Sequence, residues 1–246
     1  MRRLAFFCFL LLGHVAWAAP PPATAEPPAV TQTPDDINRD FLDPDLDPEK
    51  WLARFEVESR EVFAARKSIL AALDLEPGDR IADIGSGTGL YLAPFSNSVG
   101  ETGRVYAVDI SPRLIEFIED RIKNETLGNV AVVLSAADST RLAPGSVSHA
   151  FACDAYHHFE QYQAMLASIL AALVPGGEFV VVDFDRIPGV SREWLLEHVR
   201  ADKATVRSEI EAAGFEFIEE VEVPEFEENY LLRFRKPVTT PKAAGS

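Results

Sequence analysis

The chain has 246 residues, 47% of them hydrophobic, which suits one sizeable core rather than two. A formal net charge of −16 argues against nucleic acid as a partner, because neutralising phosphates takes lysine and arginine. With only Cys8 and Cys153, a disulfide framework is excluded.

Arg2 and Arg3 precede an apolar run from Leu4 to Trp17, and Ala16-Trp17-Ala18 has the small-x-small form of a signal-peptidase site. This predicts an export signal over residues 1–19 and a periplasmic or secreted destination. The run is short for a membrane span, with an uncleaved anchor as the alternative, and no stable span is expected once it is removed. Residues 20–47 read as a linker. Six prolines between Ala19 and Pro34 make a polyproline-biased tether, and the acidic stretch from Asp35 to Glu49 is expected to lie on the domain surface or fold over a ligand.

The folded domain is expected over 48–236, with a disordered tail at 237–246. Trp51, Phe55, Val62, Ile69 and Leu73 give a rough helical stripe, predicting one helix from Pro48 to Leu73. Pro77-Gly78-Asp79 is a turn. Strands then follow near 80–84, 104–109, 130–136, 147–153 and 178–184, alternating with helices near 88–98, 112–127, 160–173 and 191–213. The strands are mostly apolar, as in a parallel sheet covered on both faces. Phe215–Val223 and Asn229–Arg235 have no helix between them and are expected to pair antiparallel at an edge. The fold class is therefore α/β: a Rossmann-like, doubly wound, mostly parallel sheet of seven strands closing in a C-terminal antiparallel hairpin.

Chemistry concentrates at Asp83-Ile84-Gly85-Ser86-Gly87-Thr88-Gly89 and at the second strand's end, Val108-Asp109-Ile110. A buried strand ending in an acid, a glycine loop opening a helix, and a second strand ending in an acid make a nucleoside-cofactor layout. The glycines let backbone approach the ligand, and Asp109 is placed to take both ribose hydroxyls. Asp83 would face the ligand's ammonium. The alternative for Asp109 is a cap on the helix opening at Ser111-Pro112. The Gly-x-Gly-x-Gly spacing is not the longer Gly-x-Gly-x-x-Gly of nicotinamide dehydrogenases.

Taken in order, these motifs resemble the class I S-adenosylmethionine-dependent methyltransferases over roughly Ile69 to Lys236. The glycine loop is similar to that family's first motif. Ala137-Asp138 resembles its adenine-contacting pair, and Leu173-Val174-Pro175-Gly176-Gly177 its Leu-x-Pro-Gly-Gly turn. The resemblance implies S-adenosyl-L-methionine as cofactor, a small-molecule methyl acceptor, and a cofactor-binding set of Asp83, Gly85, Ser86, Gly87, Thr88, Gly89, Asp109, Ile110, Ala137, Asp138 and Asp154.

Phe151 to Phe159 closes the fourth strand and is expected to line the acceptor pocket. His157 is the leading base, with His158 and Tyr156 as further catalytic candidates, because imidazole titrates near neutrality. His-His-Phe at this point resembles ubiquinone and menaquinone C-methyltransferases, where a histidine here can be structural. No metal site is expected: His149 lies on the fourth strand, His198 is distant in sequence, and no ligand spacing is visible. Cys153 reads as a small buried hydrophobe. Arg54, Phe55, Glu58, Arg60, Trp194, His198 and Arg200 could cap the pocket or be ordinary helix faces. The competing functional class is an exported S-adenosylmethionine- or nucleoside-binding module without turnover.

Overall fold

A computed structural model describes residues 37–238, and the predicted signal segment lies outside them. Three short helices come first: α1 (Pro48–Phe55), α2 (Glu61–Ala64) and α3 (Arg66–Ala72). Then follow β1 (Arg80–Ile84), α4 (Leu92–Val99), β2 (Arg104–Asp109), α5 (Pro112–Glu125), β3 (Val130–Leu134) and β4 (Val147–Cys153). A 3₁₀ turn at Tyr156–His158 leads to α6 (Tyr162–Ala172), β5 (Leu173–Phe184), α7 (Glu193–His198), α8 (Lys203–Ala212), β6 (Glu216–Glu220) and β7 (Asn229–Arg235).

The seven strands form one sheet in the order β3-β2-β1-β4-β5-β7-β6. The first five are parallel, while β7 pairs antiparallel with both β5 and β6. The chain moves outward from β1 to β3, then returns to lay β4 on β1's other side. Ligands in such sheets sit at that reversal, beyond the carboxyl ends of the strands.

Alternation along the strands makes both faces apolar. Phe151, Val180 and Val182 pack with Ile69 of α3, Phe95 of α4 and Ile118 of α5. Their neighbours Ala152, Phe179 and Val181 face the opposite layer, with Leu166 and Ile169 of α6 and Ile210 of α8. α5 is opened by Ser111, whose side chain accepts from Leu114 N–H, with Pro112 in the first turn.

Several boundaries differ from the sequence reading. The single helix expected over 48–73 is three pieces, broken between Glu56 and Arg60, where the chain swings across the glycine loop. The helix expected over 191–213 is two, because Asp202 accepts from Thr205 N–H and starts α8 afresh. The helix expected from residue 88 begins at Leu92, since the glycine loop runs on to Tyr91. The Pro-Gly-Gly turn lies inside β5 rather than before it: the register with β4 jumps between Leu173 and Glu178, a bulge with Gly176 at φ +81°.

Candidate active site

A crevice of roughly 730 Å³ opens over the carboxyl ends of β1, β2 and β4. One end is built by the glycine loop. Gly85 has φ +75°, and a Cβ there would lie 2.6 Å from Ala155 Cβ, so no larger residue fits. Gly87, at φ +56°, packs under the Phe55 ring. Gly85, Ser86, Gly87 and Thr88 line the cavity, whereas Gly89 turns toward Leu92 and lies outside it.

Asp83 and Asp109 stand at neighbouring strand tips, 3% and 5% exposed. Burial, and then the charge of Asp109, push Asp83 up to about 7, against a hydrogen bond with Ser86. Burial raises Asp109 to about 6 despite its hydrogen bonds. Asp109 Oδ2 accepts from Gly87 N–H at 2.8 Å and Oδ1 from Ser111 N–H at 2.8 Å. It thus ties the glycine loop to the start of α5 and still lines the cavity with Ile110. The cap of α5 is Ser111, so Asp109 braces the turn ahead of that helix rather than capping it.

Other members of the predicted cofactor set are engaged locally. Ser86 Oγ donates to Asp83 O at 2.7 Å, and Thr88 Oγ1 to Glu56 Oε1 at 3.0 Å. Ala137 lines the crevice, but Asp138 does not: it is exposed on a tight turn in which Ala136 N–H donates to Ser139 O. Asp154, which also lines the cavity, pairs with Arg60 and accepts from Asn229 Nδ2 at 2.8 Å. Burial raises it to about 6, with Arg60 opposing.

The other end of the crevice is aromatic and imidazole-rich. Phe41, Trp51 and Phe55 form one wall, with centroids 4.6 Å apart for Phe41–Trp51 and 5.2 Å for Trp51–Phe55. Phe184 and Trp194 stand opposite, edge to face at 5.8 Å. The wall formed by the N-terminal segment is anchored through Asn38 Nδ2, which donates to His158 O and Glu160 Oε1, both at 3.0 Å.

His157 is 4% exposed, and its Nδ1–H donates to Asp183 Oδ1 at 2.7 Å. Asp183 Oδ2 accepts the His157 backbone N–H at 3.0 Å, so ring and main chain are held together. Burial works against a charge on His157, but the Asp183 carboxylate outweighs it and the pKa is raised. His158 lies well below the ordinary histidine range through burial and the neighbouring imidazoles. For His198, burial and then His157 bring the pKa down to about 4.

Three expectations are corrected here. Tyr156 is fully buried behind the loop: its hydroxyl donates to Glu209 Oε2 at 2.8 Å, and it does not line the crevice. Arg200 likewise turns inward, donating to both oxygens of Glu209 at 2.7 and 2.6 Å. The histidine pair has the partner it was expected to lack: the end of α7 brings His198 beside it, 5.1 and 5.3 Å between ring centroids. Arg54, Phe55, Arg60 and Trp194 line the cavity and Glu58 does not. Cys153 is half-buried at the crevice, its thiol pushed well up by burial and Asp154, so it stays neutral. Phe41 lies in the acidic stretch that was expected to lie on the surface or fold over a ligand, and it lines the crevice, whereas Asp183 was missed. Asp183 carried a readable signal, an acid at the tip of the fifth strand like those of the first and second.

The methyltransferase-domain family model matches residues 81–177, from the first strand through the Pro-Gly-Gly turn. The Ubiquinone/menaquinone biosynthesis C-methyltransferase UbiE of Shewanella pealeana is 27% identical over 169 residues, 57% of this chain and 67% of that enzyme. Among solved structures, a SAM-dependent methyltransferase from Aquifex aeolicus superposes with a TM-score of 0.68 at 24% identity, covering 77% of this chain and 98% of that one. A possible exported protein from Bordetella parapertussis gives 0.57 at 15% identity over 72% and 68%. The structural likenesses show the shared fold. The methyltransferase-domain match over 81–177, the likeness to the UbiE enzymes and the shared fold support an S-adenosylmethionine-dependent methyltransferase. Its cofactor is S-adenosylmethionine.

Proposed function

We propose that this enzyme transfers a methyl group to a small organic acceptor by in-line displacement, and that it works outside the cytoplasm. The observation that carries the first part is the two-ended crevice: buried carboxylates and a glycine cradle at one end, an aromatic wall at the other. Asp83, Gly85, Gly87, Asp109, Ile110 and Ala137 would hold the cofactor. The cradle fits such a group, since a Cβ at Gly85 is sterically excluded and two desolvated carboxylates suit a cationic amino acid and a ribose. When bound, S-adenosylmethionine supplies a methyl group already activated on its sulfonium.

The chain's own contribution is alignment and exclusion of water. Phe41, Trp51, Phe184 and Trp194 favour a flat, largely apolar acceptor. The likeness to a ubiquinone/menaquinone biosynthesis C-methyltransferase supports a small molecule in that role. Calorimetry with S-adenosylmethionine, S-adenosylhomocysteine and NAD tests the cofactor end: the first two bind, and Asp109→Ala weakens them about tenfold or more, the weight of a charged hydrogen bond. Preferential NAD binding overturns the reading. Methyl transfer is then sought by mass spectrometry over phenols, thiols and amines. Tight cofactor binding with no turnover on any of them favours the binding-module alternative.

Export rests on Arg2, Arg3, the Leu4–Trp17 run and Ala16-Trp17-Ala18, and is supported by the likeness to a possible exported protein. An alkaline phosphatase fusion after residue 47 should be active when expressed in bacteria. An inactive fusion, retained inside, rejects export.

A further inference from the structure

We propose that His157, His158 and His198 form a divalent-metal site at the acceptor end of the crevice, suited to an ion of zinc's class, with one coordination position open to the cavity.

The geometry is close to that of a bound ion. One donor atom from each ring lies within 4.8 Å of the other two. Around an ion at about 2.0–2.1 Å, three imidazole nitrogens stand roughly 3.3 Å apart, so closure takes at most about 0.9 Å per ring.

His157 is already oriented as a ligand. Asp183 accepts from its Nδ1–H, leaving the Nε2 lone pair free, which is the carboxylate–histidine arrangement found behind metal-binding imidazoles. Asp183 is itself fixed, 1% exposed, and accepts the backbone N–H groups of His157 and Phe184. His158 adds an independent observation: its Nδ1 is buried with no hydrogen-bond partner. An unpaired buried acceptor is unfavourable in a folded protein, and a bound ion would satisfy that nitrogen, the ring being hydrogen-bonded otherwise, among the described residues, only to the Ile37 backbone. His198 comes from the end of α7 with its ring stacked on Trp194 at 4.8 Å. Phe41 and Phe184 stand edge-on to His158 and His157. Aromatic rings therefore pack around the three imidazoles and help exclude water, while Asp183, Asp154, Arg60 and Arg54 supply the nearby charges.

Three neutral nitrogen ligands select zinc, cobalt, nickel, copper or ferrous iron over magnesium or calcium, which prefer oxygen. Three protein ligands with an open fourth position make a Lewis-acid site rather than a structural one. An acceptor hydroxyl or thiol bound at that position would lose its proton to solvent. The resulting anion forms its bond to the methyl carbon as the carbon–sulfur bond breaks and the sulfonium becomes a neutral sulfide. Metal binding stands without the methyltransferase reading, whereas this polarising role rests on it.

The test uses the full chain without a histidine tag, stripped with chelator and given Co²⁺. One ion per chain should survive gel filtration, with the intense visible absorption of a low-coordinate nitrogen site. His198→Ala and His158→Ala should each abolish that absorption while circular dichroism is unchanged, and His149→Ala, outside the cluster, should retain it. Asp183→Asn should weaken retention by about tenfold or more. No retained ion, or the same absorption in His198→Ala and His158→Ala, overturns the site. Calorimetry with S-adenosylmethionine on the same samples separates the failures: cobalt bound without cofactor sinks the methyltransferase reading alone, and cofactor bound without cobalt sinks the metal site alone.

Discussion

Asp83 carries a proton near neutral pH because burial removes its water and Asp109 stands nearby, which lifts it to about 7. A cationic ligand favours the carboxylate, so binding must expel that proton. Affinity for S-adenosylmethionine is therefore expected to rise as pH climbs through about 7 and to level off above it. Calorimetry across that range checks this, and Asp83→Asn should flatten the rise. The linkage to stability has the opposite sign. The folded chain holds a proton that the unfolded chain releases above 3.8, so the ligand-free protein loses stability between 3.8 and about 7 as pH rises. Thermal midpoints of wild type and Asp83→Asn should diverge over that window, the asparagine variant losing less. The glycines give a second residue-scale prediction. Gly85→Ala combines left-handed backbone strain with a 2.6 Å approach to Ala155 Cβ, whereas Gly87→Ala meets the Phe55 ring at an ordinary 3.4 Å. Gly87→Ala should cost roughly 1–2 kcal/mol from backbone alone, and Gly85→Ala distinctly more. Urea midpoints rank them, and equal losses would count against the cradle's tight fit.

At the scale of elements, β1, β2, β4 and β7 follow the boundaries read from the sequence because their buried runs are bounded by turns and charged residues. The broken helix at Glu56–Arg60 had no such marker, since that stretch holds neither glycine nor proline. What breaks it is tertiary: Glu56 accepts from Arg121 and Thr88, and Arg60 pairs with Asp154. Local propensity cannot register partners tens of residues away. The second break was readable in principle, since Asp202 stands three residues before Thr205 as a cap. Missing it hid the fact that α7 ends at the crevice, and with it the third imidazole. Glu61 shows the same long reach. Its carboxylate accepts the backbone N–H groups of Glu227, Glu228 and Asn229 at 3.0–3.1 Å, pinning α2 to the entry of β7. Glu61→Ala should destabilise the protein by about 1–2 kcal/mol, less than full burial would imply because water reaches part of the turn. A urea titration showing no change would mean that water replaces these contacts fully.

Across the whole molecule, the glycine-loop end and the aromatic wall of the crevice belong to different parts of the chain, and Arg121 of α5 joins them. Its guanidinium donates to Glu56 Oε1 at 2.5 Å and to Thr88 O at 3.0 Å, linking the segment after α1 to the glycine loop. Both charged side chains are less than a fifth exposed, so the pair is screened less than a surface bridge. The order of glycine loop, strand-tip acids and closing hairpin made the sheet and the cofactor end legible in the sequence. The wall was legible only in part: Phe55 and Trp194 stood as candidate caps, but Phe41 and Trp51 acquire their meaning only when this bridge swings their segment over the crevice. Arg121→Met should therefore act on both ends. Removing the cation leaves Glu56 charged and partly buried without its main partner, a loss of about 1–3 kcal/mol after allowing for residual solvent. Hydrogen exchange should quicken across residues 41–56, and S-adenosylmethionine affinity should fall although no cofactor-end carboxylate has changed. Glu56→Gln, which keeps a hydrogen-bonding group without the stranded charge, should show the same pattern more weakly. Faster exchange with unaltered affinity would mean that the N-terminal wall and the glycine loop are mechanically independent.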